Sequence, residues 1–360
     1  MTLSRRTFAQ LLGAGAAVVA LPQARAKANG VVLLNSNENP YGPSPAAMQA
    51  MRDAMAGSFR YPDEVESALA ETVAKLHGVT TSEVLLGNGS SDVLSLAARA
   101  FLPGGKKLVT ALPTFEALWM HARGNEIVRV PLTATHAHDL DKMLEAARGA
   151  SLVYLCNPNN PTATITPKAA VRAFLDAVPA DTVVLVDEAY HHYADGTDYE
   201  SVIPLVAKKE NLVVARTFSK IYAMAGLRCG YAIAQKPLIE KLAAHQAFNT
   251  MNVMACVAGQ ASVLDSEHAT ASKKKNREVR TWVMHELESL GFASLPSEAN
   301  FFMVDVRTEV RPVIETMRER GVRIGRRFAP MPTHLRVTVG TREEMERFLE
   351  VFRAVVRGQA

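Results

Sequence analysis

One lysine sits in a setting that could do chemistry. In "RTFSKIYAMAGLRCGY", Arg216 to Tyr231, Lys220 lies between Ser219 and an apolar run, and Arg228 follows. A lysine amine attacks an aldehyde only when deprotonated, and burial near other cations lowers its pKa. Other stretches end in groups that could work with such an amine. "SLVYLCNPNNPT" delivers Asn160, "TVVLVDEAY" delivers Asp187 and then Tyr190, and "EVLLGNGSSD" delivers Ser90 and Ser91. A carboxylate buried at a strand end needs a positive partner. A protonated pyridine nitrogen would satisfy Asp187 and make its ring an electron sink, while Asn160 and Tyr190 could hydrogen-bond a ring hydroxyl. The free N–H groups of a helix opening at Ser90 and Ser91 suit a phosphate. Thr217, Ser219 and the Arg228 fork can complete that shell. Any one of these features alone is an ordinary turn or cap; together they form a constellation.

The elements that must position these groups are legible as short apolar runs. "KLVTALP", "EIVRVPL", "SLVYLCNP", "TVVLVDEAY", "NLVVARTFSK" and "CGYAIAQ" are β-branched and nearly continuous in apolar residues, with helical stretches such as 167–178 between them. Strands buried on both faces of a mostly parallel sheet read this way. The alternation predicts an α/β sheet covered on both sides, and ligands of such sheets gather beyond the carboxyl ends of the strands. After residue 272 the pattern changes to a long helix over 273–290, "NFFMVDV", a helix over 311–320, "LRVTVG" and a closing helix over 342–356. This predicts a small α+β unit that packs with the N-terminal segment.

The chain from about Asn35 to its end resembles the fold-type I, pyridoxal-phosphate-dependent aminotransferases, most of all the histidinol-phosphate aminotransferase branch. The matching stretches are "NENPYGPSP", "YPD", "GNGSSD", "PTF", "NPNNPT", "VDEAY", "RTFSK", "AGLRCGY", "NFF" and "LRVTVGT", in family order. The resemblance implies a mostly parallel seven-stranded sheet sandwiched by helices, plus a small α+β domain. It implies pyridoxal 5'-phosphate as cofactor, with Lys220 as the imine-forming lysine, Asp187 on the pyridine nitrogen and Tyr190 and Asn160 on the ring oxygen. Ser90, Ser91, Thr217, Ser219 and Arg228 correspond to the phosphate shell, and Phe115 to the aromatic stacked on the ring. Tyr61 corresponds to a tyrosine that reaches the cofactor phosphate of a neighbouring subunit, which implies a homodimer. Arg336 corresponds to the arginine gripping the substrate's anionic group, with Tyr41 and Asn300 lining the same pocket. A second substrate arginine belongs in "GVRIGRRFAP", which offers Arg323, Arg326 and Arg327; Arg326 is favoured. Two departures stand out: Ala163 where the family usually has Gly, and Phe115 where this branch more often has tyrosine.

The implied reaction is ping-pong transfer of an amino group between an amino acid or amino phosphate and a 2-oxo acid. An amino acid decarboxylase similar to threonine-phosphate decarboxylase shares most of these motifs and is the alternative. A non-catalytic regulatory protein is disfavoured, because no helix-turn-helix pattern or basic arm accompanies the catalytic set.

The beginning of the chain reads as an address. In "SRRTFAQLLGAGAAVVALPQARA" the pair Arg5 and Arg6 precedes a short uncharged run, and Ala24 and Ala26 form an A-x-A pattern. That layout predicts a removable signal over 1–26, recognised by the twin-arginine export machinery and leading to the periplasm; its run is too short for a stable membrane span. The remaining divisions are expected at 27–55 (N-terminal part of the small domain), 56–272 (large cofactor-binding domain) and 273–360 (C-terminal part of the small domain). The formal charge is +4, and removing Arg5, Arg6 and Arg25 leaves +1, so the body gives no electrostatic reason to expect nucleic acid or membrane binding. The three cysteines, Cys156, Cys229 and Cys256, have neither disulfide nor metal-ligand spacing. No metal is expected. His191 and His192 are expected at a pocket rim or in solvent, His136 and His138 on the surface, and Trp119 and Trp282 in the core. Lys273 to Lys275 are read as a solvated helix face.

Overall fold

The computed structural model describes residues 30–357; the expected export signal lies outside them. The strands are β1 (Val32–Leu34), β2 (Val84–Gly87), β3 (Lys107–Leu112), β4 (Glu126–Pro131), β5 (Leu152–Cys156), β6 (Val183–Asp187), β7 (Leu212–Thr217), β8 (Gly230–Ala234), β9 (Phe301–Asp305), β10 (Val322–Ile324) and β11 (His334–Thr338). Seven of them form one sheet in the order β2-β8-β7-β6-β5-β3-β4. Only β8 runs antiparallel to its neighbours; the other pairings are parallel. The chain is thus α/β, and every residue of β5, β6, β7 and β8 is buried.

Period-2 alternation decides what each strand end presents. Leu185, Val213 and Ala215 pack into one helical layer with Leu94 and Leu96 of the helix Ser90–Phe101, whereas Val184, Val186 and Val214 pack into the other with Phe174 and Ile203. The same alternation carries Asp187 and Thr217 toward the first layer, and Glu188 and Arg216 toward the second. There Arg216 Nη2 meets Glu188 Oε2 at 2.7 Å, with both side chains nearly inaccessible. The Ser201 hydroxyl and the Val202 N–H also donate to Glu188, so the pair is fully hydrogen-bonded.

The C-terminal unit is built from β9 and β11 and the helices Ser266–Ser289, Val310–Glu319 and Arg342–Arg357 around Phe302, Leu335, Phe348 and Phe352. The N-terminal strand joins it, since β1 pairs in parallel with β10. That pairing leads the next segment, Asn35–Pro40, across to the ends of β6 and β7.

Several details differ from the sequence expectation. The long helix begins at Ser266, because the Asp265 carboxylate caps it by accepting the His268 N–H at 3.1 Å. The three-residue β10 is too short to leave a pattern. His138 is buried, not on the surface: its Nδ1 lies 2.8 Å from the Thr166 hydroxyl. His191 and His192 are half-buried, within reach of the Tyr199 and Tyr222 hydroxyls. Trp119 and Trp282 are only half-buried, each with an arginine over its ring. Lys274 and Lys275 are exposed, but Lys273 turns in to pair with Asp195 at 3.0 Å.

Removing one partner of a buried ion pair leaves an uncompensated charge, so Glu188→Ala is expected to cost about 3–5 kcal/mol of folding stability. Urea denaturation checks this; severing the exposed Arg342–Glu346 pair by Glu346→Ala should leave the midpoint nearly unmoved.

Candidate active site

The carboxyl ends of β5, β6 and β7 open on one cavity of about 140 Å³. Ser90, Ser91, Phe115, Asn160, Asp187, Tyr190, Thr217, Ser219, Lys220 and Arg228 all line it. The structure therefore brings together every expected cofactor residue except Tyr61, which is 77% exposed and turned to solvent.

Asp187 forms the floor. Its Oδ1 accepts the Ala189 N–H at 3.0 Å and its Oδ2 accepts the Tyr154 hydroxyl at 3.0 Å. Burial pushes its pKa up to about 6, against the pull of those two donors and of Lys220. Lys220 projects into the same space, with Nζ donating to the backbone carbonyls of Asn37 at 3.1 Å and Ser36 at 3.3 Å. Burial lowers its pKa to about 8, assisted by the positive charge of Arg336 and opposed by Glu38 and Asp187. The amine is thus far easier to deprotonate than an exposed lysine.

On one side, the Tyr190 hydroxyl accepts from Asn37 Nδ2 at 3.0 Å and from Asn160 Nδ2 at 3.4 Å. Burial raises the Tyr190 pKa, keeping the phenol neutral. On the other side, the helix Ser90–Phe101 starts with no side chain capping it, which leaves its opening, at the cavity-lining Ser90 and Ser91, without a side-chain acceptor. Thr217 Oγ1 donates to Ser219 Oγ at 2.9 Å. The Arg228 guanidinium donates to the carbonyls of Asn88 at 3.1 Å and Ala225 at 2.9 Å. Close approach is allowed by glycine: a Cβ on Gly89 would lie 2.5 Å from Arg228 Nη2, and one on Gly230 would lie 2.5 Å from the Ser90 nitrogen. Arg228 itself has φ 58°, a left-handed conformation costing of order 1–3 kcal/mol in a non-glycine residue. Ala163 has φ 64° at a fully buried position, which accounts for glycine being the ordinary choice there.

Arg336 reaches the rim, donating to Asn160 Oδ1 and to the Asn35 carbonyl, both at 2.8 Å. Its Nε is buried without a hydrogen-bond partner. Arg326 approaches the same ring as Arg336: their Cζ atoms lie 4.4 and 5.3 Å from the Phe328 centroid. Arg326 also bridges to Glu116, next to Phe115, at 2.5 Å. Arg327 instead pairs with Glu309, and Arg323 is exposed on β10. Asn300 donates to the Asn37 and Glu38 carbonyls, while Tyr41 is half-buried with Lys275 over its ring; neither side chain lines the 140 Å³ cavity.

The sequence model of the aminotransferase class I and II family matches residues 29–352. The chain belongs to that family. This aminotransferase is 41% identical to the histidinol-phosphate aminotransferase of Symbiobacterium thermophilum, over 91% of each chain. It is 39% identical to that of Moorella thermoacetica, over 91% of this chain and 86% of the relative. Its fold superposes with a TM-score of 0.87 on the histidinol-phosphate aminotransferase of Sinorhizobium meliloti in complex with pyridoxal-5'-phosphate, at 27% identity, covering 97% of this chain and all of that one. The chain is accordingly a fold-type I, pyridoxal-phosphate-dependent transaminase, and the names of these relatives favour amino transfer over decarboxylation.

The cavity fits that cofactor. A buried carboxylate whose protein donors are both neutral is suited to a cationic ring nitrogen, and a glycine-lined helix opening with an arginine beside it is suited to a phosphate.

Sequence reasoning missed three participants. Asn37 ties Tyr190, Lys220 and Asn300 together and has φ 54°, a conformation asparagine tolerates. The asparagine-rich loop "NSNENP" was the available signal. Tyr154 stands two residues before Cys156, on the face of the sheet that Asp187 shares, and strand alternation could have found it. Glu116, adjacent to Phe115, left no signal.

The apoprotein should capture pyridoxal phosphate faster as pH rises through about 8, where Lys220 loses its proton, and then level off. Stopped-flow absorbance from pH 6 to 10 reads this; a rate still climbing tenfold per unit above pH 9 would contradict it.

Proposed function

We propose that the site works as follows. Pyridoxal phosphate, when bound, supplies an aldehyde that takes up the amino group and a protonated ring that accepts electron density. Asp187 holds the proton at the ring nitrogen, and Asn160 and Tyr190 bond the ring oxygen. The N–H groups at Ser90 and Ser91, with Thr217, Ser219 and Arg228, hold the phosphate, and Phe115 covers the ring. Lys220 Nζ is the covalent anchor, and its amine, once released by substrate, would take the proton from the donor's Cα and deliver it to the carbon that had carried the aldehyde, leaving the amino group with the cofactor. The donor leaves as an oxo compound before a 2-oxo acid binds, giving ping-pong kinetics.

The amino donor carries an anionic group held by Arg336 and Arg326. The observation that carries this reading is the convergence of two guanidiniums on one ring, Phe328, with the Arg336 Nε left without a partner in the protein. A phosphate monoester or a carboxylate fits that fork. The relatives' names make histidinol phosphate the first candidate. Export argues for another amino acid, since histidine synthesis is expected in the cytoplasm.

The chain is a homodimer in this reading. Met55, Phe59 and Tyr61 are large side chains exposed within one short stretch, and Tyr61 of each protomer would reach the cofactor phosphate of its neighbour. Arg5, Arg6 and the Ala24/Ala26 pattern support export by the twin-arginine route into the periplasm, with the chain folded and its cofactor carried along.

Kinetics with histidinol phosphate against aromatic and other amino donors assign the substrate. Arg336→Met should raise KM for the anionic donor at least about tenfold, the worth of a charge-assisted bidentate contact; an unchanged KM removes Arg336 from the fork. Cell fractionation should find a processed chain in the periplasm, and an uncleaved chain in the cytosol would refute export.

A further inference from the structure

Tyr154 has no place in the chemistry described so far. It is fully buried in the middle of β5, among apolar side chains on the layer that holds Leu185, Val213 and Ala215. A phenylalanine would fill that position as well. The tyrosine brings one additional atom, and its hydroxyl donates to Asp187 Oδ2 at 3.0 Å. An unpaired hydroxyl in so dry a place would be costly, so this bond is the reason a tyrosine is tolerated there. Cys156, directly opposite Asp187 in the β5–β6 register, lies beside the Tyr154 hydroxyl, and its thiol donates to the Pro158 carbonyl at 3.4 Å.

We propose that Tyr154 is a positioning residue for the transamination, whose hydroxyl fixes the rotamer and the ionised state of Asp187 from inside the sheet. The inference rests on the reading of Asp187 as the partner of the ring nitrogen. Two neutral donors, the Ala189 N–H on Oδ1 and Tyr154 on Oδ2, set the plane of the carboxylate and leave its remaining lone pairs to the cavity. Both bonds favour the charged form. Burial acts in the opposite sense and brings Asp187 close to taking a proton at neutral pH. A carboxylate that is less basic leaves the shared proton on the ring nitrogen, where it is needed to draw electrons. Without the Tyr154 hydroxyl the proton moves toward Asp187, the pair becomes neutral, and the attraction holding the ring weakens.

The test is Tyr154→Phe in the holoenzyme and the apoprotein, with the cofactor labelled at the ring nitrogen with ¹⁵N. The dissociation constant for pyridoxal phosphate should rise, and kcat should fall, each by about tenfold or more, the size expected on losing a hydrogen bond to a charged group. The ¹⁵N resonance should shift toward its unprotonated position while the donor KM changes little. The thermal midpoint of the apoprotein should stay near that of the parent, which separates this role from packing. In an Asp187→Asn background the same substitution should change cofactor affinity by less than about twofold, since the two side chains act as one unit. An unmoved ¹⁵N resonance with unchanged affinity overturns the proposal, as does an equal loss in the Asp187→Asn background. If Asp187→Asn alone leaves resonance and affinity untouched, the reading of Asp187 fails as well.

Discussion

A negative charge held out of water at the end of β6 is the constraint on which the rest of this structure depends. An isolated carboxylate in a dry interior would protonate. Asp187 resists only in part, through two neutral donors and the through-space pull of Lys220. The surroundings complement that half-satisfied state. The amine opposite is depressed, because burial and Arg336 act on it together. The helix opening at Ser90 and the Arg228 fork stand where a phosphate would sit. A pyridinium ring bearing an aldehyde and a phosphate satisfies the three demands at once.

The sheet delivers this arrangement by parity. Consecutive residues at the ends of β6 and β7 point to opposite layers, so Asp187 and Thr217 face the cavity while Glu188 and Arg216 lock the far side. The far-side pair fixes the strand ends against which the near-side groups are set. The small unit supplies the lid edge. β1 pairs with β10, the Asn35–Pro40 loop is drawn over the site, and Asn37 and Thr338 are bonded across it at 2.9 Å.

Much of this was legible in the sequence. The buried strands announced themselves by near-continuous apolar runs, and the chemical groups followed directly after them. The groups that escaped are of a different kind. Asn37 acts through both its side-chain amide, on Tyr190, and its backbone carbonyl, which accepts from Lys220 and Asn300, and only the three-dimensional path of its loop brings these together. Tyr154 looks like a core aromatic until its hydroxyl is placed. His138 stands in a polar stretch, yet Thr166 from a later segment buries it. Arg323, Arg326 and Arg327 are alike in sequence and differ only in three dimensions: Arg323 is exposed on β10, Arg327 pairs with Glu309, and Arg326, also exposed, pairs with Glu116 and lies over the Phe328 ring.

The central claim is a single covalent attachment, that of the cofactor aldehyde to Lys220 Nζ above Asp187. Borohydride reduction of the cofactor-loaded protein, followed by peptide mapping, tests it most directly. The account predicts one stable pyridoxyl adduct, on the peptide containing Lys220 and on no other lysine. An unmodified Lys220, or an adduct elsewhere in protein that has bound the cofactor, would contradict it.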